Sequence, residues 1–243
     1  MSSLLQRLAF RWLARRETVP VADCVHFAGF RYGRQEINPY ENYVAALVQG
    51  EAVDAARARF VTLLQHYRPR ELGEALGVEL EREYPLWCYP WSRRPPAPAW
   101  RDDPNDVPDI ITHFSARGIP RSRIDEEFVW LERCLGSIRE HGYQPARFSG
   151  DPTARRLSAL DGATRYLIHD GNHRLAALGA LGQPSVVVRQ VPQMIVWEKD
   201  LARWPGVAGG RFTPEDARLI FRAFFTERRG ARTTVTAAPL LEA

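Results

Sequence analysis

The sequence is nearly empty of lysine. Of its 33 Lys and Arg residues, only Lys199 is a lysine. A Walker-type phosphate loop needs a lysine within a glycine-rich turn, and none stands in one here, so that mode of nucleotide binding is excluded. Any phosphate must be held by arginine or by backbone N–H groups. Cysteine is scarce and scattered. Cys24, Cys88 and Cys134 are odd in number, and no CxxC or other metal-like spacing brings two together. That excludes a disulfide framework or a zinc site built on paired cysteines. With no signal-peptide pattern before them, the three are expected to be reduced thiols of a cytoplasmic protein. No apolar run approaches the roughly 20 residues of a membrane span. Net charge is also small. A formal +4 and a pI of about 9.2 suit an anionic ligand but are thin support for nucleic acid, which is not expected as a partner.

What is present is a globular composition, 45% hydrophobic over 243 residues, enough for a sizeable core. Residues 2–16, "SSLLQRLAFRWLARR", read as a helix. Leu4, Leu8 and Trp12 form one stripe; Arg7, Arg11 and Arg15 form another. Such a helix either packs on its own domain or lies on an anionic membrane surface, a peripheral contact that stays open here. "INPYENYVAALVQG", residues 37–50, starts at a turn signal and closes at Gly50. Further helices are expected over about 52–66 and 70–75, which makes residues 1–84 a mainly helical N-terminal region. The segment 85–108 is rich in proline, which excludes regular helix or a central strand. Trp87, Tyr89, Trp91 and Trp100 make it too apolar for a free linker. It is expected to wrap the core as an ordered loop, with an aromatic lid over a substrate as the alternative.

Residues 109–195 read as an α+β domain. Ile124, Phe128, Leu131, Leu135 and Ile138 are spaced 4, 3, 4 and 3 residues apart, a helical core stripe that ends before Gly142. "LSALDGATRYLIH" is a hairpin signal around Asp161-Gly162. A helix follows from about His173 to Leu181 and stops at Gly182; "SVVVRQV" then reads as a buried strand. Residues 196–243 hold a last helix, with Thr213 as N-cap, Pro214 at its first position and Asp216 at its third.

The chemistry concentrates in "HDGNHR", His169 to Arg174, where a strand passes through a tight turn into a helix. Gly171 permits the turn and a close approach to the backbone. The N–H groups that follow belong to a helix N-terminus and suit a phosphate. His173 and Arg174 add donors there, Arg174 as a fork for phosphate oxygens. Asp170 is the anomaly, because a carboxylate repels a neighbouring anion. It fits if it holds Mg²⁺, caps a backbone group or accepts a proton. Asp and Asn also favour turns and caps with no catalytic role. His113, Arg117 and Arg121 are further candidates to receive substrate anions.

The run "SIREHGYQP", a short hairpin and "YLIHDGNHRLAALGALGQPSVVV" resembles the ParB/sulfiredoxin superfamily over about residues 109–191. The resemblance implies a small mixed sheet with helices and a phosphate-binding G-x-x-R turn. ParB proteins, which bind CTP and DNA, carry G-E-R-R there, and sulfiredoxins carry G-C-H-R, where Asn172 replaces the cysteine. The free serine kinases of the superfamily carry D-G-H-H-R; Asp170, Gly171, His173 and Arg174 match it and Asn172 departs. This nearest pattern implies a nucleotide-dependent phosphotransferase that uses ATP or ADP, CTP being the variant, with Mg²⁺. Its acceptor would be a small hydroxylated substrate such as a sugar. Gly171, Asn172, His173 and Arg174 would bind the nucleotide phosphates and Asp170 the metal. Those kinases also use a glutamate near the start of the preceding helix as general base. Asp125, Glu126 and Glu127 occupy that place, Glu127 nearest the core-facing Phe128. Asp170, Glu127 and His173 are therefore the expected catalytic residues. A non-catalytic ParB-like nucleotide- or DNA-binding module is the alternative.

Overall fold

A computed structural model describes residues 15–33, 38–66, 69–93, 121–190 and 195–226. The expectations for residues 2–14, Trp100, His113, Arg117 and the side chain of Arg121 lie outside the described residues. In chain order the elements are β1 (Arg15–Pro20), β2 (Cys24–Val25), α1 (Pro39–Val48), α2 (Val53–His66), α3 (Leu72–Leu76), α4 (Arg121–His141), β3 (Thr153–Ser158), β4 (Thr164–Asp170), α5 (Asn172–Ala180), β5 (Ser185–Gln190), β6 (Val196–Trp197), α6 (Pro205–Ala208) and α7 (Pro214–Ala223).

The fold is α+β around one mixed sheet, ordered β1-β5-β3-β4-β2 with β6 against β3. β3 pairs antiparallel with β4, and β1 with β5; the β2–β4, β3–β5 and β3–β6 pairs are parallel. Tyr166, Leu167 and Ile168 are consecutive and all buried, so both faces of the sheet are covered at β4. The hairpin joining β3 to β4 forms where Asp161-Gly162 marks it. Gly162 takes φ +86°, Asp161 accepts from Ala163 N–H at 3.0 Å, and Ala159 N–H donates to Ala163 O at 2.9 Å. β3 starts earlier than its apolar residues suggest, at Thr153.

Residues 1–84 are less helical than expected. Arg15 and Arg16, placed in a helix by the Arg7/Arg11/Arg15 stripe, open strand β1 instead. The pairing partner decides this: β1 runs antiparallel along β5, from Arg15 opposite Gln190 to Pro20 opposite Ser185. Tertiary pairing outweighs a local helical pattern. The sheet thus takes strands from residues 15–25 and 196–197 as well as from the central region. β5 is buried only on alternate residues, not on both faces.

The helices follow their signals. Asn38 caps α1, accepting from Tyr40 and Glu41 N–H. Every member of the stripe from Ile124 to Ile138 is buried. α4 and α1 both pack on α5, with the rings of Tyr43, Phe60 and Phe128 in tilted and edge-on contact among α1, α2 and α4. Thr213 caps α7 through Asp216 N–H at 3.0 Å. The Asp216 side chain, itself buried, accepts from Tyr84 O–H at 2.6 Å and from Glu81 N–H at 2.9 Å. The start of the proline-rich segment packs as expected. Trp87, Tyr89 and Trp91 are buried, and Trp91 meets Trp204, Phe221 and Phe224 edge-on.

Candidate functional site

The sheet delivers the HDGNHR motif through an irregularity. In the β3–β4 ladder Ala154 opposes Ile168 but Thr153 opposes Asp170, so His169 is an extra residue. Such a bulge breaks the alternation and re-aims the residues that follow. Both His169 and Asp170 are consequently exposed after three buried residues. Gly171 then turns the chain with φ +101° and opens α5. No other residue fits there. A Cβ on Gly171 would lie 2.8 Å from Pro152 Cβ and 2.9 Å from Arg174 Nη2, and the backbone angle is one that L residues rarely adopt.

These residues line a cavity of about 280 Å³ together with Trp130, Cys134, Phe148 and Ser149. No side chain caps α5, so its positive end faces the cavity without a competing side-chain acceptor.

At the cavity edge His173 Nε2 lies 2.5 Å from Glu127 Oε2. Glu127 is 1% exposed, and α4 brings it from 46 residues away. With Glu127 ionised, its oxygen accepts from Nε2–H, and the imidazole lone pair falls on Nδ1. Tyr40 and Trp130 hold the ring edge-on at 5.4 and 5.7 Å. Of the three acids at the head of α4, only Glu127 faces inward; Asp125 and Glu126 are exposed. Asn172 Oδ1 accepts from Tyr32 O–H at 2.7 Å, which ties the start of α5 to the loop after β2.

Arg174 is placed differently from a free phosphate fork. Its side chain is 5% exposed. Nη1 donates to Gly150 O and Nη2 to Asp170 Oδ2 at 2.8 Å, while Phe148 lies 5.8 Å beneath the guanidinium. Arg174 therefore clamps the loop at 149–152 onto the turn. It is also the cation whose absence made Asp170 anomalous: the two residues, four apart, compensate each other. Ser149 Oγ sits 3.5 Å from both Asp170 Oδ2 and Arg174 Nη2.

No sequence signal singles out residues 148–152. "FSGDP" carries turn residues and no chemical motif, so only its contact with Arg174 reveals its part. Cysteine chemistry has no support in the geometry. Burial pushes the Cys134 thiol at the cavity wall up to about 11. Cys24 and Cys88 are buried elsewhere, and burial raises both thiols as well.

Asp170 is the only carboxylate among the described residues lining this cavity, and no group of three His, Cys, Asp or Glu suited to a metal occurs among them. With Oδ2 engaged by Arg174, Asp170 Oδ1 remains. One carboxylate oxygen fits a Mg²⁺ that takes its other ligands from phosphates and water, and does not fit an all-protein cage. No protein-family model, curated protein or solved structure matches the chain.

Proposed function

We propose that the chain is a nucleotide-dependent phosphotransferase acting on a small hydroxylated acceptor. The observation that carries this reading is the His173–Glu127 pair, 2.5 Å apart, beside a helix N-terminus that no side chain caps. An anion site next to an oriented acid–base pair is what transfer of a phosphoryl group to a hydroxyl requires. The nucleotide's terminal phosphates would lie over Gly171–Arg174. The cavity sits at the low end of ligand-site volumes, so it suits the phosphate end and leaves the nucleoside outside. ATP or ADP is the expected donor, with CTP as the variant.

His173 takes the proton from the acceptor hydroxyl as its oxygen attacks phosphorus, and the bond to the departing nucleotide oxygen breaks. Glu127 fixes the imidazole tautomer and stabilises its protonated form. Asp170 would hold Mg²⁺ through its free oxygen, and the ion would supply neutralisation of phosphate charge. Arg174 keeps the turn in place, and backbone N–H groups of α5 receive phosphate oxygens.

The direct test has two stages. A thermal-shift panel of ATP, ADP and CTP with Mg²⁺ identifies the donor, since a ligand at 100 times its Kd adds about 2.7 kcal/mol of stability. Product detection against a panel of sugars and amino-acid alcohols then identifies the acceptor. His173→Ala and Glu127→Gln should each cut turnover by about 10²–10⁴ while nucleotide binding persists. Stabilisation by no nucleotide, or full turnover in both variants, overturns the reading. Binding without turnover on any acceptor would leave the ParB-like binding module.

A further inference from the structure

A second and larger cavity, about 650 Å³, lies away from the HDGNHR turn, between β3, β6, the segment after β6 and the start of the proline-rich stretch. Arg93, Arg155 and Arg203 line it, against one acid, Asp200. Trp91 and Trp197 supply flat apolar wall. The site therefore carries an excess of positive charge beside indole rings.

Two of its donors are stranded. Arg155 Nε and Trp91 Nε1 are both buried and have no hydrogen-bond acceptor among the described residues. Arg155 makes no ion pair among those residues either, although three carboxylate-paired arginines stand elsewhere in the sheet and its surroundings: Arg16, Arg165 and Arg222. The sheet imposes this position, since Arg155 sits opposite Leu167 in the middle of the β3–β4 ladder. Arginine cannot escape by losing its proton. A partly buried guanidinium without a counter-charge is unfavourable, and so is a buried indole N–H without an acceptor. An anion entering the cavity would satisfy the guanidinium and give the indole N–H an acceptor.

We propose that this cavity is a second ligand site, and that it takes a small organic anion: a phosphate or carboxylate carried on a flat ring. The charged end meets Arg155, with Arg93 and Arg203 at the more exposed margin, and the ring lies against the tryptophans. Ring stacking on an indole face and charge-assisted bonds to guanidinium groups together distinguish such a ligand from a bare ion or a neutral ring. Asp200 disfavours ligands with charge spread along their length. The site is independent of phosphoryl transfer, and no residue assigned to that reaction lines it.

The probes are phenyl phosphate and benzoate, with inorganic phosphate, phenol and benzyl alcohol as controls. Binding is read by quenching of tryptophan fluorescence and by calorimetry. A ring phosphate should bind wild type at least about tenfold tighter than inorganic phosphate, and the neutral rings should not bind measurably. Arg155→Met should weaken that binding about tenfold or more, as expected for loss of a charge-assisted bond. The same substitution should raise the melting temperature, because it removes a partly buried charge with no counter-charge among the described residues. Arg203→Ala should weaken binding with no change in melting temperature, and His173→Ala should leave binding intact. Four results overturn the proposal: no ring phosphate binds at millimolar concentration; inorganic phosphate binds equally well, which marks an adventitious ion only; both arginine variants bind as wild type does; or Arg155→Met melts lower than wild type, which shows that the guanidinium is already satisfied.

Discussion

Replacing Glu41 with glutamine should stabilise the protein in alkaline solution and leave it nearly unchanged in mild acid. Glu41 is fully buried in the first turn of α1, facing α5. One oxygen, Oε2, accepts from Gly33 N–H at 2.7 Å. The other, Oε1, has no hydrogen-bond partner among the described residues. Burial raises the carboxyl from its ordinary 4.5 to about 7, and the Gly33 N–H offsets only part of that. Between those values the folded protein holds a proton that the unfolded chain has released. Stability is therefore fully present below about pH 4.5 and is lost as pH rises through 7. The gap between 4.5 and about 7, at about 1.4 kcal/mol per unit, puts the loss at about 3 kcal/mol.

Glu41→Gln keeps the shape and the carbonyl that Gly33 needs, but never ionises. Some of the gain is given back, because a neutral acceptor binds the Gly33 N–H less strongly than a carboxylate does. A net stabilisation of about 1–3 kcal/mol is expected at pH 8.5, falling below about 1 kcal/mol at pH 5. For a chain of this size that is roughly 2–12 °C in melting temperature. The assay is thermal and urea unfolding of both proteins across pH 5 to 8.5. Equal stability of the two proteins at pH 8.5, or parallel pH curves, would refute the reasoning.

Three more outcomes follow from the geometry. Gly179→Ala should destabilise by about 1–3 kcal/mol although alanine is the better helix former, because its Cβ would fall 2.6 Å from Glu41 Oε2; chemical denaturation gives the sign. Arg174→Met should cost about 1–3 kcal/mol, since it leaves Gly150 O without its donor and removes the clamp, while the half-exposed Asp170 is taken up by water. Asp170→Asn should cost only about 1 kcal/mol, its carboxylate being half exposed; comparable losses in the two variants would refute the clamp. Substituting Cys24, Cys88 and Cys134 together by alanine should leave turnover intact, and native Cys134 should react slowly with thiol reagents at pH 8, because burial holds it protonated up to about 11.

Helices were legible in the sequence because their signals are local. Asn38, Thr213 and Gly142 mark ends that the structure keeps, and the stripe from Ile124 to Ile138 identifies the buried face of α4. β1 was not legible because its warrant is remote. "RRETVP" becomes a strand through β5, which lies far along the chain, and the arginines at its start suit the preceding helical stripe equally well. The same contrast divides the site. Gly171, His173 and the inward-facing glutamate lie on periodic elements and could be picked from pattern. The loop at Ser149–Pro152 could not, since its residues acquire a role only through Arg174. The partner of Asp170 was hidden for a related reason. Charge logic demanded a compensating cation, and the cation stood four residues on in the same motif, across a strand-to-helix turn.

The position of His173 is set by contacts at both ends of its helix. α5 has nine residues. Near its C-terminal end Gly179 lies so close to Glu41 that no side chain fits between them. At its N-terminal end Glu127 holds His173, Tyr32 holds Asn172, and Arg174 reaches back over Gly171 to Gly150 and Asp170. The partners come from several parts of the chain, and the contacts at the N-terminal end are polar and part-buried. Polar contacts of this kind add little net stability compared with apolar packing, but they are costly to leave half made. An apolar interface would let the helix slide along its axis with small penalty. These bonds do not, since a shift of about 1 Å would break several at once. The arrangement therefore trades stability for fixed placement of one imidazole and one helix end, which is the requirement of a site that must hold two reactants in line.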